Sequence, residues 1–83
     1  MNQPVGYLRE FLSNYTDRSH VAQEIYSIIK EKDFTTEDSF VRELNEQHVS
    51  FLNGVLTEAI NYARSEDDEE RARQLNEIYE LLF

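Results

Sequence analysis

A chain of 83 residues is too short for two hydrophobic cores, and the absence of cysteine excludes disulfides, thiolate metal sites and cysteine nucleophiles. The formal net charge of −9 disfavours unaided binding to a phosphate backbone or an anionic membrane. Two glycines and one proline are too few for the turns of a β-rich protein. The sequence therefore predicts an all-α fold, with residues 1–83 as a single helical domain.

The first two predicted helices each carry one apolar face. Helix 1 is expected from about Pro4 to Tyr15, because a proline suits the first turn and apolar residues follow at helical spacing. Helix 2 is expected from about Ser19, a favourable N-cap, to Lys32, whose charge complements the end of the helix dipole. The apolar positions of these two helices are Leu8, Phe11, Leu12 and Tyr15, then Val21, Ala22, Ile25, Ile28 and Ile29.

Helix 3 is predicted to be the longest, starting after a cap at Thr35 or Thr36 and ending near Arg64. Gly54 weakens this helix locally, but the apolar stripe keeps its phase across the glycine, which favours one continuous helix. A capping box beginning at Ser65 predicts helix 4 from about Glu66 to Leu82, although helices 3 and 4 could also fuse into one rod. The predicted architecture is a small bundle of three to four helices around a long central helix 3.

The apolar residues of helix 3 cover an arc of roughly 200°, wider than a helix with one neighbour needs. Two compatible explanations remain open. Helix 3 is either the central helix, packed on both sides by the others, or it contributes to a homodimer with a two-fold axis. The predicted seam of that dimer, or of a contact with another partner, consists of Leu44, His48, Phe51, Val55 and Phe83.

Neither histidine belongs to a recognisable catalytic or metal motif. His20 and Glu24 have the i, i+4 spacing that can hold a metal on a helix, but no second pair supports them. We interpret His20 as a solvent-facing residue near a cap. His48 lies in the apolar stripe of helix 3, which indicates a core or interface histidine hydrogen-bonded to a neighbour, with a pH-sensitive contact as the alternative. No cofactor and no metal are expected.

The sharpest local feature of the sequence is an acidic run after helix 3. It consists of Glu66, Asp67, Asp68, Glu69 and Glu70. One interpretation is a solvated first helical turn, in which the acidic side chains interact favourably with the positive end of the helix dipole. The other is a docking patch for a basic partner surface.

The residues favour a function by binding rather than by chemistry. The sequence contains no Gly-rich phosphate loop, no Ser/His/Asp grouping and no calcium-loop spacing, so we predict that the protein is not an enzyme. We predict a cytoplasmic regulator, adaptor or inhibitor that binds another protein, of bacterial or phage origin, without membrane or direct nucleic-acid contact. The alternatives are an acidic mimic of nucleic acid and an accessory subunit of an enzyme.

Overall fold

The computed structural model describes residues 2–83, and this part of the chain is 73% helical with no strand. Five helices follow in chain order: α1 (Gln3–Leu12), α2 (His20–Glu31), α3 (Glu37–Val41), α4 (Glu46–Ser65) and α5 (Glu69–Leu81). The all-α prediction is confirmed. The predicted count of three to four helices is too low, because the short helix α3 is separate from α4. None of these helices is both long and apolar enough to cross a membrane.

Each helix begins at a polar residue whose side chain accepts a hydrogen bond from the backbone N–H three residues later. These N-caps are Asn2, Ser19, Thr36, Asn45 and Asp68. Such caps satisfy N–H groups that have no partner within the helix, and each contributes about 1 kcal/mol. The predicted cap at Ser19 is confirmed, and of the two candidates Thr35 and Thr36 it is Thr36 that caps α3. Helix α5 is capped by Asp68 rather than by Ser65.

The single long helix predicted from Thr36 to Arg64 is wrong, because the chain leaves helical geometry between α3 and α4. Asn45 adopts an extended backbone and caps a new helix, in which His48 supplies the second half of a capping box. Before this break, α3 places Phe40 in the core, where its ring meets that of Phe34 edge-on at 5.5 Å. The break therefore lets a short helix bury Phe40 while α4 begins with its own cap.

Helix α4 contacts α1, α2 and α5, which accounts for its wide apolar arc. Seven of its residues are buried: His48, Leu52, Val55, Leu56, Ala59, Ile60 and Ala63. The other helices contribute to the same core, with Leu8, Leu12, Ile25, Ile29, Leu75 and Ile78 among its fully or almost fully buried side chains. The turn between α4 and α5 passes through Asp67, whose φ of 58° lies in the left-handed region.

We expect Gly54→Ala to raise the free energy of unfolding by about 0.5–1 kcal/mol. Gly54 lies inside α4, and a Cβ placed on it would meet no atom within 4 Å. Alanine would therefore lose less backbone entropy on folding without creating a clash. Urea denaturation of the two proteins measures the difference. An unchanged or lower stability would contradict the continuous helix at this position.

Candidate functional site

The buried His48 connects the start of α4 to α2. Its side chain is 7% exposed, and its Nε2 lies 2.9 Å from Oε1 of Glu24 on α2. The ring atom Nδ1 accepts a hydrogen bond from the backbone N–H of Asn45 at 3.2 Å. The backbone N–H of His48 in turn donates to Asn45 Oδ1 at 2.8 Å. Since Nδ1 acts as an acceptor, the proton of the neutral ring is on Nε2 and is donated to Glu24. The predicted hydrogen-bonded, buried histidine is confirmed.

Glu24 is shared by both histidines of the protein. Its second oxygen, Oε2, lies 3.1 Å from Nε2 of His20, whose side chain is 83% exposed as the sequence predicted. The hydrogen bond from His48 is the largest of the effects that hold the pKa of Glu24 below its ordinary value. Each histidine thus binds a different oxygen of one carboxylate. Within residues 2–83, no group of three or more His, Cys, Asp and Glu side chains has a geometry suited to a metal ion.

A second polar contact joins α3 to α5 through two carboxyl groups. Glu37 accepts a hydrogen bond from Asn2 Nδ2 at 3.3 Å, and Glu77 accepts one from Arg73 Nη1 at 2.8 Å. The proximity of Glu37 raises the pKa of Glu77, whereas the backbone N–H of Glu37 itself and the proximity of Glu77 lower the pKa of Glu37. The folded state therefore favours protonation of Glu77 over protonation of Glu37.

We expect Glu77→Gln to raise stability at pH 7 by no more than about 0.5 kcal/mol, because this position is partly screened by solvent. The raised pKa of Glu77 means that the folded state favours its protonated form. The stabilisation of the fold by protonated Glu77 is fully present below the ordinary pKa of 4.5, and it is lost as the pH rises through the raised pKa. Glutamine can still donate to Glu37 at any pH. The advantage of the variant should therefore disappear below about pH 4 in denaturation series, and a constant advantage would contradict the interaction between the two carboxyls.

The acidic run forms the turn between α4 and α5 and the first turn of α5. Asp68 is the N-cap of α5, and Glu70 binds Arg73 and the side chain of Gln74, which holds the pKa of Glu70 below its ordinary value. Glu66, Asp67 and Glu69 are exposed. These positions agree with a capped helix start, and a role of the run as a docking patch stays a prediction.

The five residues of the predicted seam differ in how deeply they are buried. His48 and Val55 are buried in the core of the chain itself. Leu44 and Phe51 are half-buried, and the ring of Phe51 meets that of Tyr15 edge-on at 6.3 Å. Phe83, near the end of α5, is 79% exposed. The seam as an interface between chains therefore stays a prediction, with most of its area already covered within one chain.

The cations of the surface fall into two groups. Lys32, Arg42, Arg71 and Arg73 each lie within 4 Å of a carboxylate. Among the described residues, no carboxylate lies at this distance from Arg9, Arg18, Lys30 or Arg64. Instead, Arg18 lies over the ring of Tyr15 at 4.6 Å, and Lys30 lies over that of Tyr26 at 5.7 Å. These four cations keep their charge available to other molecules.

Comparison with known proteins identifies the family. The model of a family described as minor curli fiber component A (CsgA) matches residues 1–83. The chain belongs to this family. It is also similar to a "Sigma-G-dependent sporulation-specific SASP protein" of Bacillus subtilis (strain 168), with 45% identity over 83 residues that cover 100% of both chains. No solved structure matches the chain.

These relationships correct two predictions made from the sequence. The predicted regulator, adaptor or inhibitor of a partner protein is wrong, because the full-length relative is a sporulation-specific SASP, a name for small acid-soluble spore proteins. The two alternatives, a nucleic-acid mimic and an enzyme subunit, are dropped with it. The predicted lack of direct nucleic-acid contact is contradicted by the same relationship. That prediction was based on net charge, which does not show which cations are ion-paired.

Proposed function

We propose that this chain is a sporulation protein of the SASP kind, a folded helical protein of the spore that acts without catalysis. The observation that carries the proposal is the 45% identity to the sporulation-specific SASP protein over the whole of both chains. The absence of a catalytic grouping from the sequence and of a metal-binding group from residues 2–83 supports a role without chemistry.

The composition suits a protein that stays soluble in acid. In dilute acid the 17 carboxyl groups become neutral, while eight Lys and Arg and two His keep or gain positive charge. The chain then carries a large net positive charge, which keeps molecules apart in solution. Since no cysteine is present, extraction in acid cannot be complicated by disulfide exchange.

The fibre named in the family description fits this fold less well. A fibre of the cross-β kind would require strands that stack with those of other chains. Residues 2–83 contain no strand, and their apolar side chains are buried between helices. The sporulation relative therefore guides the proposal.

Sigma-G dependence is the first property to test in the native host. An antibody against this chain should detect it in sporulating cells and not in vegetative cells, and a strain without sigma-G should lose the signal. A second sporulation protein that does not depend on sigma-G serves as the loading control. Equal amounts of the protein in vegetative cells would contradict the proposal.

DNA is the second part of the proposal, and the four cations without a carboxylate partner support it. They can neutralise at most four phosphates, so the logarithm of the affinity for duplex DNA should fall with the logarithm of salt concentration with a slope no steeper than about −3.6. The net charge of −9 keeps this binding weak. Fluorescence anisotropy with a labelled duplex at low salt measures it.

Replacing Arg18 and Lys30 with Gln should reduce the salt slope by about two, because two fewer counterions are released. Replacing the ion-paired Arg42 and Arg73 with Gln is the matched control, with the same loss of charge. An equal change in both double variants would show that only net charge matters. Absence of binding at about 20 mM salt would contradict a direct DNA contact.

A further inference from the structure

His48 occupies a position in the capping box that is usually taken by Glu or Gln. A glutamate or glutamine oxygen at this position accepts the N–H of the N-cap residue at any pH above the acid range. The imidazole accepts it only while Nδ1 carries a lone pair, that is, only in the neutral ring. In this protein the acceptor for the Asn45 N–H is this Nδ1, at 3.2 Å.

Protonation changes the two sides of the ring in opposite ways. On the Nε2 side, the 2.9 Å contact with Glu24 gains charge and becomes a stronger, charge-assisted hydrogen bond. On the Nδ1 side, a new N–H faces the N–H of Asn45, so two donors meet and their hydrogen bond is lost. The side chain is 7% exposed and is held between α2 and the start of α4, so the ring cannot turn away without leaving Glu24.

We propose that His48 is a pH-responsive clasp that, on protonation, tightens the link between α2 and α4 while it removes one of the two hydrogen bonds of the capping box at the start of α4. The hydrogen bond that is lost lies at the junction between α3 and α4, which ends at Asn45. The charged or titratable groups that face His48 in the described contacts are Glu24 and, through the same carboxylate, His20. Glu46, in the first turn of α4 itself, is exposed.

Nuclear magnetic resonance of the intact protein between about pH 8 and 5, the range in which histidines titrate, tests the clasp. Nitrogen shifts of the imidazoles should show His48 with its proton on Nε2 at high pH. As His48 becomes protonated, the amide proton of Asn45 should shift upfield with the same midpoint, because it loses its acceptor. An Asn45 amide that stays in place through the His48 titration, or a His48 proton on Nδ1, would overturn the proposal.

Two variants separate the clasp from other titrations. His48→Gln keeps an oxygen acceptor for the Asn45 N–H, so the cap should persist and the Asn45 amide should stop responding to pH in this range. His20→Ala removes the other imidazole on Glu24 and should leave the response unchanged. A response that persists in His48→Gln, or that disappears in His20→Ala, would assign it to another group and contradict the clasp.

Discussion

Phe40→Ala should lower the free energy of unfolding by about 3–5 kcal/mol, the range measured for removal of a buried phenylalanine ring. Phe40 is fully buried, although it comes from a helix of only five residues. Its ring packs against Phe34, and its helix lies against α1 and α5. For a chain of this size the loss is a large part of the total stability, so a substantial fraction of the variant should unfold at 37 °C.

Tyr62→Ala is the matched control, since it also truncates an aromatic residue to alanine. Tyr62 is 58% exposed on α4, and its removal should change stability by no more than about 0.5 kcal/mol. Guanidinium denaturation followed by far-UV circular dichroism compares the two variants. Similar losses for both would show that α3 does not anchor the core through Phe40.

His48→Ala should lower the free energy of unfolding by about 2 kcal/mol at pH 7. The change removes the partner of Glu24, the acceptor for the Asn45 N–H and a buried ring of the core. A hydrogen bond to a charged group contributes about 1.5–3 kcal/mol, and solvent around the half-exposed Glu24 reduces that figure. The lost half of the capping box adds to the effect.

The chain offers a histidine control for this variant. His20 contacts the same carboxylate but is 83% exposed, so His20→Ala should change stability by less than about 0.5 kcal/mol. Thermal unfolding at pH 7 gives both values. If the two variants lose the same stability, burial of His48 and its contact with Asn45 contribute nothing, and the link between α2 and α4 is not as described.

The sequence predicted the helices well where local signals and packing agree. Ser19 was identified as a cap, and Thr36 as one of two candidates beside Thr35, because short polar residues precede apolar periodicity. The break at Asn45 was missed because the apolar stripe from Val41 to Leu52 continues in phase through it. Asn45 followed by His48 three residues later was the available signal, but histidine is not the expected residue at that position of a capping box.

The polar contacts that define the candidate site could be predicted only in part. Burial of His48 followed from its place in an apolar stripe, but its partner Glu24 lies 24 residues away in the sequence. Sequence spacing linked Glu24 to His20 alone. The contact between Glu37 and Glu77 depends on how α3 packs against α5, and periodicity within either helix contains no information about it.

The predicted function was wrong because charge and composition describe an average surface. A net charge of −9 disfavours phosphate binding overall, but it does not show which cations are paired. Arg42 binds Asp38 on its own helix, whereas Arg18 and Lys30 lie over aromatic rings. Only the folded arrangement separates these two kinds of cation.

Extraction of purified spores of the native host with dilute acid tests the central claim most directly. If the chain is a sporulation protein of the SASP kind, the acid extract of broken spores should contain most of it, as a band of 9.9 kDa that the antibody recognises. Extracts of vegetative cells prepared in the same way should lack it. Absence of the protein from spores, or its recovery only in an acid-insoluble fibrous residue, would contradict the account.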